Sequence, residues 1–325
     1  MKSFFLISDD HGARLELRDV AQPVAGQGQV LVKLYAAALN RGEFIHGHGL
    51  HATGTAKAAG MEGAGEVIAL GAGVTSMKIG DKVMGRCPGA FSEFAVMDVR
   101  EAMPVPNGLG MAEAASIPLT FLVGFDLLVL QGHLKEGQWM LVNGVSSGVG
   151  VASLQMGKVL GAKVIGTSGS QDKINELTSH GLDLGIVTRN PDYFDAVMKA
   201  TDGQGVNLAI NTVGGGVFAE NLRCLSFEGR MGIVGYVDGK LEATVDLNAL
   251  HAKRLCVYGV SNKLRNPDQR ASGNAQFVKE ILPAIGDGRI RPLVYKKFPL
   301  VQLPEAKALM ESNQQNGKIV VEMTH

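Results

Sequence analysis

The sequence predicts an α/β protein of two domains, in which a doubly wound parallel sheet is set between the two parts of a β-rich domain. Three observations carry this. From Gln138 to Ser261, short apolar runs alternate regularly with amphipathic segments. Before that stretch, β-rich runs are punctuated by Gly, Asp and Pro, and after it the pattern turns mixed, ending on a strand-like run. The expected boundaries are residues 1–118 and 262–325 for the β-rich domain and 119–261 for the parallel-sheet domain.

The elements follow in order. The opening "MKSFFLISDDHG" carries an apolar run too short for a signal-peptide core and reads as a buried first strand. The runs at 29–40, 62–71, 82–85 and 91–98 read as strands of a compact β domain. "GMAEAASIPLTFLVGFDLL" (110–128) is an Ala-rich helix, a Pro break and a second helix. Strands are then expected at 139–144, 163–168, 184–187, 206–215, 230–236 and 254–261. The intervening helices are expected at 148–161, 170–181, 192–203 and 218–229. Short apolar strands alternating with helices imply a parallel sheet covered on both faces. The tail supplies a helix at 274–288, a β run at 293–300, a short helix after Pro304 and a strand at 317–323.

Composition narrows the function classes. Lys plus Arg equals Asp plus Glu at 31 each, so no global field draws nucleic acid or an anionic membrane. The three cysteines, Cys87, Cys224 and Cys256, are too few and too scattered for a disulfide framework and suit a reducing cytoplasm. No apolar stretch approaches the roughly 20 residues of a membrane span, because "FLVGFDLLVL" is interrupted by Asp126.

The first βα unit carries the chemistry. "LVNGVSSGVGVASLQ" is a strand, a Gly/Ser turn and a helix start, where small residues let the backbone approach a phosphate and free N–H groups meet it. The fingerprint is degenerate: the stretch is Val145-Ser146-Ser147-Gly148-Val149-Gly150, so only the last Gly and an extra Gly148 fit G-x-G-x-x-G. Its position at the head of the βα series points to a dinucleotide. A site for NAD usually has an acid about 20 residues further on. Here Gly166, Thr167 and Ser168 stand at that strand end, followed by Ser170 and Lys173, a hydroxyl and a cation suited to a 2′-phosphate. The expected cofactor is therefore NADP(H).

The blocks "ALNRGEF", "GMEGAGEVIALGAGVTSMKIGDKVMG", "GAFSEFAV", "ASIPLTFLVGFDLL", "VNGVSSGVG", "VIGTSGSQDK", "NTVGG" and "GKIVV" run nearly the whole chain. In order and spacing they resemble the medium-chain dehydrogenase/reductase superfamily, and within it the zinc-lacking quinone oxidoreductase branch. The resemblance implies a GroES-like β-rich catalytic domain plus a Rossmann domain. Relatives with catalytic zinc place a Cys where this chain has Asn40 and a His where it has Met61, and they insert a four-cysteine lobe after the "GDKV" turn. Here Cys87 stands alone after that turn, so neither ligand set is expected and no metal site is predicted. Without ligands for a Lewis acid, an alkoxide lacks its usual stabiliser, and the expectation moves to hydride donation to a quinone or an α,β-unsaturated carbonyl.

The resemblance also implies roles. Asn40 lies beside nicotinamide and substrate, and Thr120 contacts the carboxamide. Ser147, Gly148, Val149 and Gly150 hold the pyrophosphate, while Asn211, Val213, Gly235 and Tyr236 flank the cofactor. Thr188 stands where relatives often carry a Tyr beside the 2′-phosphate, with Arg189 adjacent, and Asn313 stands where many have a basic residue. His51 and Ile45 occupy positions where relatives carry substrate-loop tyrosines. The cluster His46, His48 and His51 reads as a solvated loop, a substrate-facing wall or a metal site, and His51 is the candidate acceptor-facing histidine and a candidate catalytic residue beside Asn40.

The expected function is NADPH-dependent quinone reduction. One alternative is reduction of an alkenal, enone or enoyl-thioester double bond, and another, of a different class, is a non-catalytic NADPH-binding sensor. The apolar run "RLCVYGVS" at the sheet edge suits pairing with a second copy of the chain, so a homodimer is expected, acting on a small molecule with neither nucleic acid nor membrane as partner.

Overall fold

The computed structural model describes residues 1–9, 12–44, 56–262 and 264–324. The chain divides into two compact units, one of residues 1–119 with 262–325 and one of residues 120–261. Leu119, expected at the head of the second domain, falls in the first unit, where its backbone N–H donates to Glu62 Oε2 at 2.7 Å.

In the first unit a seven-stranded sheet is built around the strand Gln29–Ala38. It pairs antiparallel with Glu62–Leu70 on one side and Lys318–Glu322 on the other, and also with Phe94–Asp98. The sheet continues through Lys82–Arg86 to Ala102–Pro104, and at its other end through Val294–Pro299. The strand Lys2–Asp9 lies between Gly12–Asp19 and Ala56–Ala58 in a separate three-stranded sheet. Val30, Val32 and Leu34 alternate onto one face of the central strand and are fully buried, joined by Phe91, Met97 and Val321 in one core. The C-terminal strand therefore completes this unit. As a result, Lys318 lies beside residues nearly the whole chain length away.

The second unit is a six-stranded, all-parallel sheet. Its order is Leu184–Val187, Lys163–Ser168, Trp139–Asn143, Val206–Asn211, Leu225–Ile233, Cys256–Gly259. The chain winds outward in one direction from Trp139–Asn143 and then returns to wind in the other. The turn in strand order falls between Trp139–Asn143 and Val206–Asn211, the place where open α/β sheets form their crevice. Leu141, Ile165, Ala209 and Met231 are buried beneath the helices, as continuous apolar strands require.

The strand expected over 206–215 ends at Asn211, and two further expected elements differ. The helix expected over 218–229 stops at Cys224, and residues from Leu225 already run as strand to Ile233. Leu225 is 1% exposed and pairs with Val206, so its burial in the sheet prevails over the helical spacing of "FAENLRCLSFEG". The helix expected over 274–288 is two helices, Asn274–Glu280 and Leu282–Gly286. Pro283 sits in the first turn of the second, where its missing N–H costs nothing but where a continuous helix would lose a bond. Among the described residues, no helix is long and apolar enough to cross a membrane.

Candidate active site

At the C-terminal edge of the parallel sheet, register places Thr167, Asn143, Asn211 and Ile233 in one row. The loops that leave this row carry most of the residues singled out in the sequence. Ser147 caps the helix Gly148–Val159, its Oγ accepting from Gly150 N at 3.0 Å. The hydroxyl thus satisfies one N–H and leaves others of the first turn free of intrahelical partners. Gly150 is required by contact: a Cβ there would lie 2.5 Å from the Gly144 carbonyl oxygen. The helix start is therefore pressed onto the turn, as in a cradle for a pyrophosphate.

The neighbouring strand end is hydroxyl-rich and cationic. Thr167 and Ser168 are nearly buried, and Ser146 and Ser168 hydroxyls lie 3.4 Å apart. Ser170 caps the next helix and accepts from Lys173 N. The Arg189 side chain folds over Gly169, where a Cβ would come within 2.6 Å of its Nε. Burial lowers the Lys173 ammonium's pKa, and the nearby Arg189 guanidinium lowers it further. A phosphate beside these two cations would relieve their mutual repulsion. Thr188 instead turns inward on its own loop. Its Oγ1 lies 2.6 Å from Asp192 Oδ1 and accepts from Asn190 N at 2.9 Å.

Asn211 folds the third loop. Its Oδ1 accepts from the backbone N–H groups of Val213 and Gly214, both at 2.9 Å, while its Nδ2 donates to the Gly214 carbonyl at 3.0 Å. The side chain therefore shapes the segment before the half-buried Val213, and it is itself 1% exposed. Gly235 and the exposed Tyr236 follow the strand Leu225–Ile233. Thr120, at the start of this unit, is 4% exposed on the helix Pro118–Phe125. The glycine contact, the capped helix and the paired cations together fit a dinucleotide with a 2′-phosphate.

Asn40 belongs to the first unit and is the hub of a polar cluster there. Its Nδ2 donates at 2.8 Å to both Glu43 Oε1 and Glu62 Oε1, and its Oδ1 accepts from Lys318 Nζ at 2.7 Å. Two carboxyl groups on one side and an ammonium on the other leave a single sensible orientation of the amide. Lys318 is 6% exposed, and its three donors are spent on Leu39 O, Asn40 Oδ1 and Glu62 Oε1, all within 2.8 Å. Glu62 is fully buried between Lys318, Asn40 and the Leu119 N–H. Such a pair persists only because every donor and acceptor is met.

Glu43 and Lys318 are functional candidates that no sequence signal singled out. Both lie inside the family-like blocks "ALNRGEF" and "GKIVV", but nothing in either block says that the two converge on Asn40. Burial pushes the Glu43 carboxyl up to about 8, with the Glu62 carboxylate adding to the rise and the Asn40 hydrogen bond and Lys318 opposing it. Cys87, also buried nearby, has its thiol pushed up by burial and by the neighbouring Glu62 and Glu43, so it is unsuited to act as a thiolate. Asn313 accepts from Arg41 Nη2 at 2.6 Å, so its amide tethers the turn that follows Asn40. Met61 lines a pocket with Glu43 and Phe44. Ile45, His46, His48 and His51 lie outside the described residues. Among the described residues, no three His, Cys, Asp or Glu side chains gather as a metal set would.

Comparison with known proteins gives two family matches in sequence order. Residues 26–107 match the alcohol dehydrogenase GroES-like domain, and residues 148–272 match the zinc-binding dehydrogenase family. A phenolphthiocerol/phthiocerol polyketide synthase chain of Mycobacterium tuberculosis is 29% identical over 317 residues, which is 96% of this chain but 14% of that protein. The chain thus spans about a seventh of the length of that relative. A quinone oxidoreductase-like protein 2 of Bos taurus is 28% identical over 267 residues, covering 81% of this chain and 76% of that one. A mycobacterial protein solved with NADPH superposes with a TM-score of 0.88 at 25% identity, over 99% of this chain and 100% of its own. The GroES-like and dehydrogenase families match in order, the fold agrees end to end, and the chain belongs to the medium-chain dehydrogenase/reductase superfamily.

Proposed function

We propose that this chain uses NADPH to reduce a conjugated carbonyl acceptor, a quinone first among them, without a metal. The observation that carries the cofactor is the Ser147-capped helix start beside Lys173 and Arg189 at one sheet edge. Bound there, NADPH supplies a hydride. Ser147, Gly148, Val149 and Gly150 would hold the pyrophosphate by backbone N–H groups, and Ser168, Ser170, Lys173 and Arg189 the 2′-phosphate. Asn211 orders the loop of Val213, while Gly235, Tyr236 and Thr120 would border the remaining dinucleotide. Thr188 is proposed to act only by shaping the Arg189 turn.

Asn40 and Met61, where zinc-using relatives have ligands, leave the acceptor to be activated by its own conjugation. Asn40 orients Glu43, and His51 is proposed to face the acceptor. A second reading, reduction of an enone or enoyl-thioester double bond, is favoured by the match to polyketide synthases over 96% of the chain. NADPH oxidation measured against a quinone panel and an enal and enoyl-thioester panel separates the two. Turnover confined to quinones supports the first, and turnover confined to double bonds supports the second. Tight NADPH binding with no turnover would leave a sensor. We also propose a homodimer formed through the edge strand Cys256–Gly259, whose Val257 is 37% exposed, and a monomeric mass by light scattering would contradict it.

A further inference from the structure

In the second unit, the strand Lys163–Ser168 runs into Gly169, and its parallel neighbour Leu184–Val187 runs into Thr188 and Arg189. Thr188 N donates to the Ser168 carbonyl at 2.9 Å, so the two chains stay paired just past the last strand residues. Gly169 and Arg189 come side by side as a result. The exposed Arg189 side chain lies across the glycine. A Cβ on Gly169 would meet its Cγ at 2.9 Å, its Nε at 2.6 Å and its Cζ at 2.7 Å. Gly169 has no positive φ, so its backbone does not call for glycine, and Arg189 is what a side chain there would strike first. The turn bearing Arg189 is braced from within. The Thr188 hydroxyl donates to Asp192 Oδ1 at 2.6 Å and accepts from Asn190 N at 2.9 Å, which ties the residue before Arg189 to those after it. Among the described residues, none accepts a hydrogen bond from the Arg189 guanidinium. Its donors form a planar fork that matches a phosphate, and Lys173 is close enough to feel its charge.

We propose that Gly169 and the Thr188–Asp192 brace set the preference for NADPH over NADH, by positioning the Arg189 guanidinium for the 2′-phosphate. This rests on the dinucleotide site proposed above. The two nucleotides differ only by that phosphate, so a residue that places its partner changes the choice between them and nothing else. Gly169 contributes the absence of a side chain. An alanine there displaces only the atoms of a long, exposed side chain, which can swing aside, so the strand end is kept while the guanidinium is turned away. The brace contributes direction. Without the Thr188 hydroxyl, the turn loses its bonds to Asp192 and Asn190, and Arg189 is no longer held over the glycine.

The test is fluorescence titration of the full chain with NADPH and with NADH, read as the ratio of the two dissociation constants. Wild type should favour NADPH, and Arg189→Ala should reduce that preference about tenfold, the value of one charge-assisted hydrogen bond. Gly169→Ala should reduce it in the same direction. The double variant Gly169→Ala with Arg189→Ala should lose no more than Arg189→Ala alone, because the glycine acts through the arginine. Thr188→Val should lower the preference, and Thr188→Ser, which keeps the hydroxyl, should retain it. NADH affinity should match wild type throughout, which also reports that each variant is folded. Additive losses in the double variant would mean that Gly169 meets the nucleotide directly, and would overturn the proposal. So would a wild-type ratio in Arg189→Ala, or a loss in Thr188→Ser equal to that in Thr188→Val. Should Gly169→Ala fail to fold, the Arg189 and Thr188 variants still decide. A wild-type chain that binds neither nucleotide would defeat the dinucleotide reading, and this proposal with it.

Discussion

Lys318 and Glu62 form a buried ion pair whose net worth is small but whose disruption is expensive. Replacing Lys318 by Met leaves Glu62 charged, fully buried and short of a partner, and should cost about 3–5 kcal/mol in chemical unfolding. The double variant Lys318→Met with Glu62→Met should recover much of that loss, and equal losses in single and double variants would show that the pair is not the source. Glu43 makes its own prediction for pH. Its folded carboxyl is raised to about 8 from an unfolded value of 4.5, so between those values the unfolded chain releases its proton first. Stability from this group is therefore complete at acidic pH and declines as pH rises, by at most about 1.4 kcal/mol per unit. In Glu43→Gln the decline should be absent, as urea titrations at pH 5 and pH 8.5 would show. Asn40 was legible in the sequence because it stands where zinc-using relatives have Cys. Glu43 and Lys318 were not, because Lys318 lies 278 residues from Asn40 and only the paired C-terminal strand brings them together.

At the scale of elements, the helix Gly148–Val159 concentrates what the dinucleotide site needs. Ser147→Ala removes its cap and should cost about 1 kcal/mol in thermal unfolding. Gly150→Ala forces a Cβ to 2.5 Å from the Gly144 carbonyl oxygen and should cost about 1–3 kcal/mol and weaken NADPH binding. On the next strand end, Lys173→Ala should reduce the preference for NADPH over NADH about tenfold, the value of one charge-assisted hydrogen bond. Unchanged ratios in fluorescence titrations would remove Lys173 from the 2′-phosphate. The strand, turn and helix start were readable because apolar spacing and small residues are local signals. The helix expected at 218–229 was not, because Leu225 looks equally apolar on a helix face or in a strand. Only pairing with Val206 decides between them. Thr188 shows the same limit: the sequence offered a hydroxyl, and the folded turn places it against Asp192.

At the scale of the whole molecule, fold class was legible because the βα rhythm of one unit and the β-rich pattern of the other are each repeated many times. The row of strand ends at Thr167, Asn143 and Asn211 follows from that order, and the cofactor reading follows from the row. The acceptor is less legible, since relatives include both polyketide synthases and a quinone oxidoreductase-like protein, and the histidine stretch 46–51 lies outside the described residues. The central claim is metal-free hydride transfer from NADPH. Its most direct measurement is single-turnover oxidation of NADPH, ordinary and deuterated at the transferable C4 position, with a quinone and an enal after exhaustive chelation. The account predicts that at least one acceptor is reduced, more slowly with the deuterated nucleotide and at a rate chelation does not change. Loss of the reaction on chelation, or no oxidation with any acceptor, would contradict it.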